Sequence, residues 1–159
     1  MSDSIEHFFQ LATSFVRWTS RPADSDRIDA ELARLLLASL YGAALSLPLG
    51  EQPSEPPAAV SDEQWNAVVA RFSRLPFRYY TTIVNPLADP VEDQVVADLA
   101  DDLADIHRDL QNGLSLVEHD ARERAAWHWR FTFHAHWGRR AIGALGAVHA
   151  WLGKQTAAS

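Results

Sequence analysis

The amino-acid sequence predicts an all-α fold, a bundle of about five helices. Apolar residues recur every three or four positions in each long segment, which is the spacing of one helix face. No run of alternating residues is long enough to indicate a sheet. The chain has 159 residues, a length that suits one domain, so we expect a single helical domain over residues 1–159.

The first two helices are predicted from their apolar faces and end signals. The first should stop near Pro22, and Ser25 or Asp24 is a candidate cap for the second. The second should end by Leu47, because the residue before Pro48 is disfavoured in helical geometry. The predicted core faces hold Ile5, Phe8, Phe9, Ala12, Phe15 and Val16, and then Ile28, Leu32, Leu35, Leu36 and Leu40.

A loop, a third helix and an extended segment follow. Residues 47–60 hold four Pro and one Gly, a composition typical of a surface loop. Ser61 with Gln64 has the spacing of a capping box, which opens the third helix. Its inward residues are predicted as Trp65, Val68, Val69 and Phe72. Residues 76–90 are rich in Pro, aromatic and β-branched residues, and we expect an ordered, extended strap across the helices, between helices 3 and 4.

Two long helices complete the predicted bundle. The fourth should run from about Val91 to Val117, loosened at Asn112–Gly113, and the fifth from about Ala121 to Leu152. Residues 153–159 are expected to form a flexible tail. The core stripe of the fourth helix is predicted as Val95, Val96, Leu99, Leu103, Ile106 and Leu110.

Charge is concentrated in these two helices. Residues 89–109 contain eight acids and one base, a sum of −7, whereas residues 121–159 contain six bases and one acid, a sum of +5. Four of the acids fall along one edge of the core stripe, at positions i, i+4, i+7 and i+11: Asp98, Asp102, Asp105 and Asp109. Like charges at such spacing repel, so either basic partners or a bound cation should offset them.

Ion pairs within the chain are the first explanation of this row. An antiparallel hairpin turning near His119–Asp120 gives partner numbers that sum to about 239. This register places Asp109 opposite Arg130, Asp105 opposite His134, Asp102 opposite Trp137, and Asp98 opposite Ala141 beside Arg140. Charge-complementary helices commonly pair in this way without any further role.

A metal site is the alternative explanation. Asp101, Asp102 and Asp105 match the D-D-x-x-D pattern with which all-α isoprenoid synthases hold magnesium and diphosphate, although the chain is much shorter and lacks their second motif. In this hypothesis Asp98, Asp102 and Asp105 hold Mg or Mn. Arg130 or Arg140 then binds a phosphate, and His134 acts as a general base.

The fifth helix is apolar on two faces, so it is either the central helix or one side of an oligomer interface. One face holds Trp127, Phe131, His134, Gly138, Ile142, Leu145 and His149, and the other holds Trp129, Phe133, Trp137, Ala144 and Trp151. Its glycines, Gly138, Gly143 and Gly146, predict a close approach of another helix. The His119–Asp120 dipeptide also occurs in HD phosphohydrolases, but flanking ligands cannot be assigned.

Composition excludes several classes of protein. The absence of Cys excludes disulfide frameworks, Cys-ligated metal sites and thiol catalysis. A net charge of −7 argues against nucleic-acid binding. The longest uncharged run, residues 35–50, has 16 residues and is too short to span a membrane. The acidic N-terminal residues do not resemble a secretory signal, so we expect a cytoplasmic protein.

Three segments resemble a bacterial family known as domain of unknown function 5063. They are the Tyr79-Tyr80 pair before the Pro-containing strap, the acidic stretch VADLADDLADIHRDLQNGL, and the helix WHWRFTFHAHWGRRAIGAL. His107 stands where this family is expected to have Tyr. The resemblance implies a small bacterial cytoplasmic helical protein and carries over no activity, cofactor or site residue.

Two functional hypotheses follow from the sequence. The first is a non-enzymatic binding or interaction module, with no cofactor, whose acidic helix edge contacts a basic protein partner or whose aromatic fifth helix forms a homo-oligomer. The second is a Mg- or Mn-dependent hydrolase, or a ligand-binding protein, acting on a phosphorylated small molecule through the Asp-rich helix.

Overall fold

A computed structural model describes residues 3–119 and 121–158 and confirms an all-α bundle. The helices are α1 (Asp3–Ser20), α2 (Asp26–Ala44), α3 (Asp62–Phe72), α4 (Leu99–Glu118), α5 (Arg122–Thr132) and α6 (Gly138–Ala157), and one π-helical turn (Phe133–Trp137) joins α5 to α6. The predicted fifth helix is therefore one continuous helical run with a π turn inside it. Strands β1 (Tyr79–Thr82) and β2 (Val95–Asp98) form a small antiparallel hairpin, in which Tyr79 pairs with Asp98.

Helix α4 lies at the centre of the bundle. It packs against α1, α3, α5 and α6, while α2 packs against α1 and α6. The sequence pointed instead to the fifth helix as the central element or an oligomer face. In the structure Trp129, Phe133 and Trp137 enter the core, whereas Phe131 and Ile142 on the other face are exposed. The central position of α4 brings buried polar residues as well as apolar ones into the interior.

The predicted helix starts are confirmed at two caps. The Ser25 hydroxyl accepts a hydrogen bond from the backbone N–H of Ile28 at the start of α2. At the start of α3, Ser61 and Gln64 exchange the two reciprocal bonds of a capping box. These bonds satisfy first-turn donors that would otherwise have no partner within the helix.

The predicted core face of α2 is rotated in the structure. Ile28 and Leu35, both predicted to face inward, are exposed, whereas Ala30, Ala33 and Leu37 are buried. The cause is Asp29, which is buried in a bidentate pair with Arg71 and also accepts from the indole of Trp18. Turning this carboxylate inward brings a face rich in small residues against the neighbouring helices.

The strap and the start of α4 also differ from the prediction. The extended segment continues past residue 90 and returns as strand β2, so α4 begins at Leu99 rather than near Val91. Val95 and Val96, predicted in the helical core stripe, lie on the strand and are exposed. The reason is Asp98, whose side chain caps α4 by accepting from the backbone N–H groups of Ala100 and Asp101.

The irregular turn of the long helices lies in the fifth helical run and not at Asn112–Gly113, where α4 is continuous. In the π turn the Gly138 N–H reaches back five residues to the Phe133 carbonyl. The Trp137 indole donates to the Trp129 carbonyl at 3.2 Å. Gly113 instead gives the Trp129 side chain room to lie against α4 and donate to the Leu110 carbonyl.

Residues 47–60 contain no helix or strand, and α6 continues through Ala157, so most of the predicted tail is helical in the structure. The helix continues there because Lys154 and Ala157 are good helix formers and no Pro interrupts them. Asp120, part of the predicted turn and of the His-Asp dipeptide, lies outside the described residues. Within the described ranges, no helix combines the length and apolarity that a membrane span requires.

Two glycine substitutions test the close contact between α4 and α5. A Cβ at position 113 would overlap the Trp129 indole, so we expect Gly113→Ala to lower the free energy of unfolding by about 1–3 kcal/mol. Gly42, in the interior of α2, has no atom near the equivalent Cβ position, so Gly42→Ala should raise it by up to about 1 kcal/mol. Urea denaturation measures both, and equal effects of the two substitutions would contradict the packing described here.

Candidate functional site

Asp98, Asp102, Asp105 and Asp109, with the side chains that bind them, form a carboxylate network along α4. Asp98 lies at its outer end. Besides capping α4, Asp98 accepts from Arg78 Nε at 2.9 Å, and the backbone N–H of Leu99 donates to the Arg78 carbonyl at 2.7 Å. These bonds fasten the residue before β1 to the start of α4.

Arg140 of α6 bridges the next two carboxylates. Its Nη1 donates to Asp102 at 2.8 Å, and its Nη2 lies 3.0 Å from Asp105 Oδ2. The Tyr80 hydroxyl donates to the other oxygen of Asp102 at 2.5 Å. Asp105 also accepts from the Trp65 indole at 2.9 Å and from Arg108 at 2.8 Å. One guanidinium thus ties α6 to α4 while strand β1 and helix α3 reach the same carboxylates.

His136, in the π turn, connects Arg140 to the fourth carboxylate. Its Nδ1 lies 2.6 Å from Asp109 Oδ2, and its Nε2 accepts from Arg140 Nε at 3.0 Å. A nitrogen that accepts a hydrogen bond carries no proton, so this arrangement fits a neutral imidazole that donates from Nδ1 to Asp109. The network therefore runs without a break from Tyr80 to Asp109.

Burial dominates the electrostatics of the network. Asp102, Asp105 and Asp109 are only 3%, 7% and 8% exposed. Loss of water raises the pKa of Asp102 and of Asp109 above the ordinary carboxyl value, against the opposing effect of their hydrogen-bond donors. Burial, followed by the hydrogen bond to Asp102, raises the pKa of Tyr80, which keeps the phenol protonated and donating. These side chains are partners of one another and not of solvent.

Sequence reasoning correctly predicted that residues of the fifth helix pair with the Asp row, but the register is different. The residue numbers of the paired side chains sum to 245, both for Asp109 with His136 and for Asp105 with Arg140, whereas the predicted register gave a sum of 239. His136 therefore pairs with Asp109, where Arg130 was expected, and Arg140 pairs with Asp105, where His134 was expected. His134 itself is exposed. The π turn adds a residue to one helical turn and changes which histidine faces α4.

The residues of the metal hypothesis are not brought together as one site. Asp98 binds Arg78, while Asp102 and Asp105 share Arg140. Among the described residues no group of three His, Cys, Asp or Glu side chains is placed to hold one metal ion. Arg130 and His134 line a separate surface cleft. This geometry favours the ion-pair interpretation of the Asp row.

Sequence reasoning missed Tyr80, Trp65 and His136 as network members. The Tyr79-Tyr80 pair was noticed as a motif, and strand alternation would place one tyrosine outward and the next inward. Gly143 makes the inward position possible, because a Cβ there would lie 2.6 Å from the Tyr80 hydroxyl. The close approach predicted for this glycine is therefore that of a tyrosine side chain and not of a helix.

The hairpin held by this network carries six exposed apolar side chains, which we call the apolar cluster of the hairpin. Its members are Ile83, Val84, Leu87, Val91, Val95 and Val96, and Leu87 and Val91 are 90% and 83% exposed. We call residues 83–94 the hairpin tip. The tip also holds three exposed acids, Asp89, Glu92 and Asp93, and the chain has no Lys or Arg between residues 79 and 107.

A second exposed apolar surface lies on α5. Leu49, Trp127, Arg130, Phe131, His134 and Ala135 line a cleft of about 430 Å³, which we call the aromatic cleft. The rings of Trp127 and Phe131 stack at 4.9 Å with an angle of 6° between their planes. Leu49 and Phe131 are 72% and 56% exposed. The cleft contains Arg130, one of the two predicted phosphate ligands, and His134, the predicted base, but no carboxylate of the described residues.

Comparisons with known proteins support the fold and assign no activity. A family model described as a domain of unknown function (DUF5063) matches residues 1–153. The crystal structure of protein BF1032 from Bacteroides fragilis is similar, with a TM-score of 0.77 and 17% sequence identity, over 93% of this chain and 91% of that one. At this identity the likeness extends to the fold alone. No curated protein sequence matches the chain.

Removing Arg140 tests the network. Arg140→Met leaves Asp102 and Asp105 buried without their shared cation, so we expect a loss of about 3–5 kcal/mol in the free energy of unfolding. Arg139→Met, at the exposed neighbouring position, should change it by less than about 0.5 kcal/mol. Urea denaturation of both variants gives the comparison. A loss below about 1 kcal/mol for Arg140→Met would show that the network is not the main tie between α4 and α6.

The buried side chain of His107, on α4, is expected to make the stability of the protein depend on pH. It is buried against Thr19, with Nδ1 2.7 Å from the hydroxyl, and burial lowers its pKa to about 4. The pKa of this imidazole is 6.5 in the unfolded chain and about 4 in the folded protein, so between these pH values the unfolded chain binds a proton that the folded protein does not. The free energy of unfolding therefore decreases as the pH falls through this range, by about 3 kcal/mol in total.

The measurement is urea denaturation of wild type and His107→Gln from pH 7 to pH 4. The stability of the wild type should fall more steeply below pH 6.5 than that of the variant. His149→Gln, at an exposed position on α6, is the matched control and should follow the wild type. Parallel pH profiles for wild type and His107→Gln would contradict the assignment.

Proposed function

The chain belongs to the DUF5063 family, a domain of unknown function, and we propose that it is a non-enzymatic interaction module that recognises a protein partner through its hairpin tip. The observation that carries this proposal is the exposed apolar cluster of the hairpin, headed by Leu87 and Val91. Scattered exposed apolar residues are common on monomeric proteins. Here six of them fall within residues 83–96, and such a concentration of exposed apolar side chains is typical of a surface that binds another protein.

The network supports the proposal because it fixes the hairpin on the bundle. Arg78 and Tyr80, at the base of β1, bind Asp98 and Asp102 of the α4 region. A surface held in one conformation before binding loses less conformational entropy when a partner docks. The tip is thus presented on a rigid support, which is how recognition loops are commonly carried.

The acids of the tip indicate the chemistry of the partner. Asp89, Glu92 and Asp93 are exposed in the same segment as the apolar side chains, so a complementary surface combines apolar with cationic groups. This replaces the acidic edge of α4 as the contact surface, because Asp102, Asp105 and Asp109 are buried and already paired. Among the acids of residues 89–109, the three classed as exposed are Asp89, Glu92 and Asp93 of the tip.

Site-specific photo-crosslinking tests the proposal. A photoreactive amino acid replaces Leu87 in one variant and Leu35 in the control, and both are introduced in cells that naturally produce the protein. Leu35 is an exposed leucine of α2, 62% accessible, outside the hairpin. We expect crosslinked protein adducts from position 87 and not from position 35. Adducts should disappear when Val91→Asp is added, because a charge at the tip opposes apolar docking. Equal adduct formation at the two positions would refute the proposal.

A further inference from the structure

Backbone contacts between the loop at Gly50 and helix α5 shape the aromatic cleft. Gly50 has a φ of 70° and lies close to α5. A Cβ at this position would lie 2.5 Å from the Glu123 carbonyl oxygen and 2.7 Å from the backbone nitrogen of Trp127. The backbone N–H of Glu51 donates to the same carbonyl at 3.2 Å. These contacts hold Leu49 beside the stacked rings of Trp127 and Phe131, where it forms the opposite wall of the cleft.

The polar groups of this cleft are cationic or neutral. Arg130 has no ion pair within residues 3–119 and 121–158, and His134 is exposed. Among the described residues, no Asp or Glu lines the cleft. Apolar side chains beside the Arg130 guanidinium are the chemistry that the hairpin tip requires in its partner, and both surfaces belong to the same chain.

The two surfaces do not meet within one molecule. The strands of the hairpin are tied to Asp98 and Asp102 of the α4 region, and no residue of the tip lines the aromatic cleft. A tip from another molecule faces no such restraint. Leu87 and Val91 would contribute the apolar side chains, and Asp89 and Glu92 would face Arg130 and His134.

We propose that the hairpin tip of one molecule docks in the aromatic cleft of a second copy of this chain. The proposal rests on the proposed function and names the partner of the same tip. The contact is heterologous, because different surfaces of the two copies meet, and it therefore builds a closed ring or an open chain depending on the rotation between neighbours. Both the apolar burial and the opposite charges favour this pairing.

A complementation experiment tests the docking. Leu87→Asp removes a functional tip but keeps the cleft, and Phe131→Asp removes a functional cleft but keeps the tip. Analytical ultracentrifugation should show concentration-dependent assembly of the wild type. Each variant alone should dissociate, with the dissociation constant raised by about tenfold or more. An equimolar mixture should form a 1:1 heterodimer, because one intact tip and one intact cleft remain.

Controls separate docking from misfolding and from other contacts. Leu35→Asp, at an exposed leucine outside both surfaces, should assemble like the wild type, and circular dichroism should show native helix content in all variants. Raising the salt concentration should weaken assembly if the acids of the tip face Arg130. A mixture that stays monomeric, or assembly that survives both substitutions, would overturn the proposal.

The outcome also separates this inference from the proposed function. A monomeric wild type whose position 87 crosslinks to a different protein would refute docking between copies and retain the tip as a recognition surface. A monomeric wild type with no specific adduct at position 87 would refute both. Assembly that is lost in Leu87→Asp and recovered in the mixture supports both together.

Discussion

The Arg140 guanidinium is the constraint on which the rest of the structure depends. Three of its nitrogens are used, two on the carboxylates of Asp102 and Asp105 and one on the imidazole of His136. Through Asp102 it reaches Tyr80 and the hairpin, and through Asp105 it reaches Trp65 of α3. Helices α3 and α4, strand β1 and the π turn are therefore positioned relative to one side chain, which explains how a small bundle holds a solvent-exposed hairpin in place.

A network of buried charges is energetically costly in a protein interior. Apolar side chains of similar size would often stabilise the bundle as well or better, because the desolvation of each buried charge offsets much of the attraction. Charge pairs add a requirement on the relative position and rotation of the two helices. Arg140 satisfies Asp102 and Asp105 only when α6 lies at one height and one rotation against α4, whereas leucines would tolerate neighbouring alternatives. The charged residues thus account for a unique register rather than for a large stability.

The helices could be predicted from the sequence because their evidence is local. Ser25, the Ser61–Gln64 box and the spacing of Phe8, Ala12 and Phe15 are confirmed, since capping and amphipathic periodicity depend on residues a few positions apart. The hairpin was missed because its strands are four residues long and Val95–Val96 also fit a helical stripe. The choice between these interpretations depended on Asp98 as a cap, which only the tertiary pairing with Arg78 makes evident. Likewise, charge complementarity predicted that the Asp row pairs with the fifth helix, but no local signal marks the π turn that selects His136.

The π turn makes the length of the fifth helical run matter independently of its composition. The turn holds one residue more than an ordinary helical turn, so deleting one residue within Phe133–Trp137 would give a regular α-helix and keep Trp129 and Arg140 on the faces they present to α4. A deletion between Trp129 and Arg140 but outside the π turn would instead rotate everything beyond it by about 100°. Asp102 and Asp105 would then lose the cation they share. Within this helical run, the π turn is therefore expected to tolerate the loss of one residue better than the regular helix on either side of it.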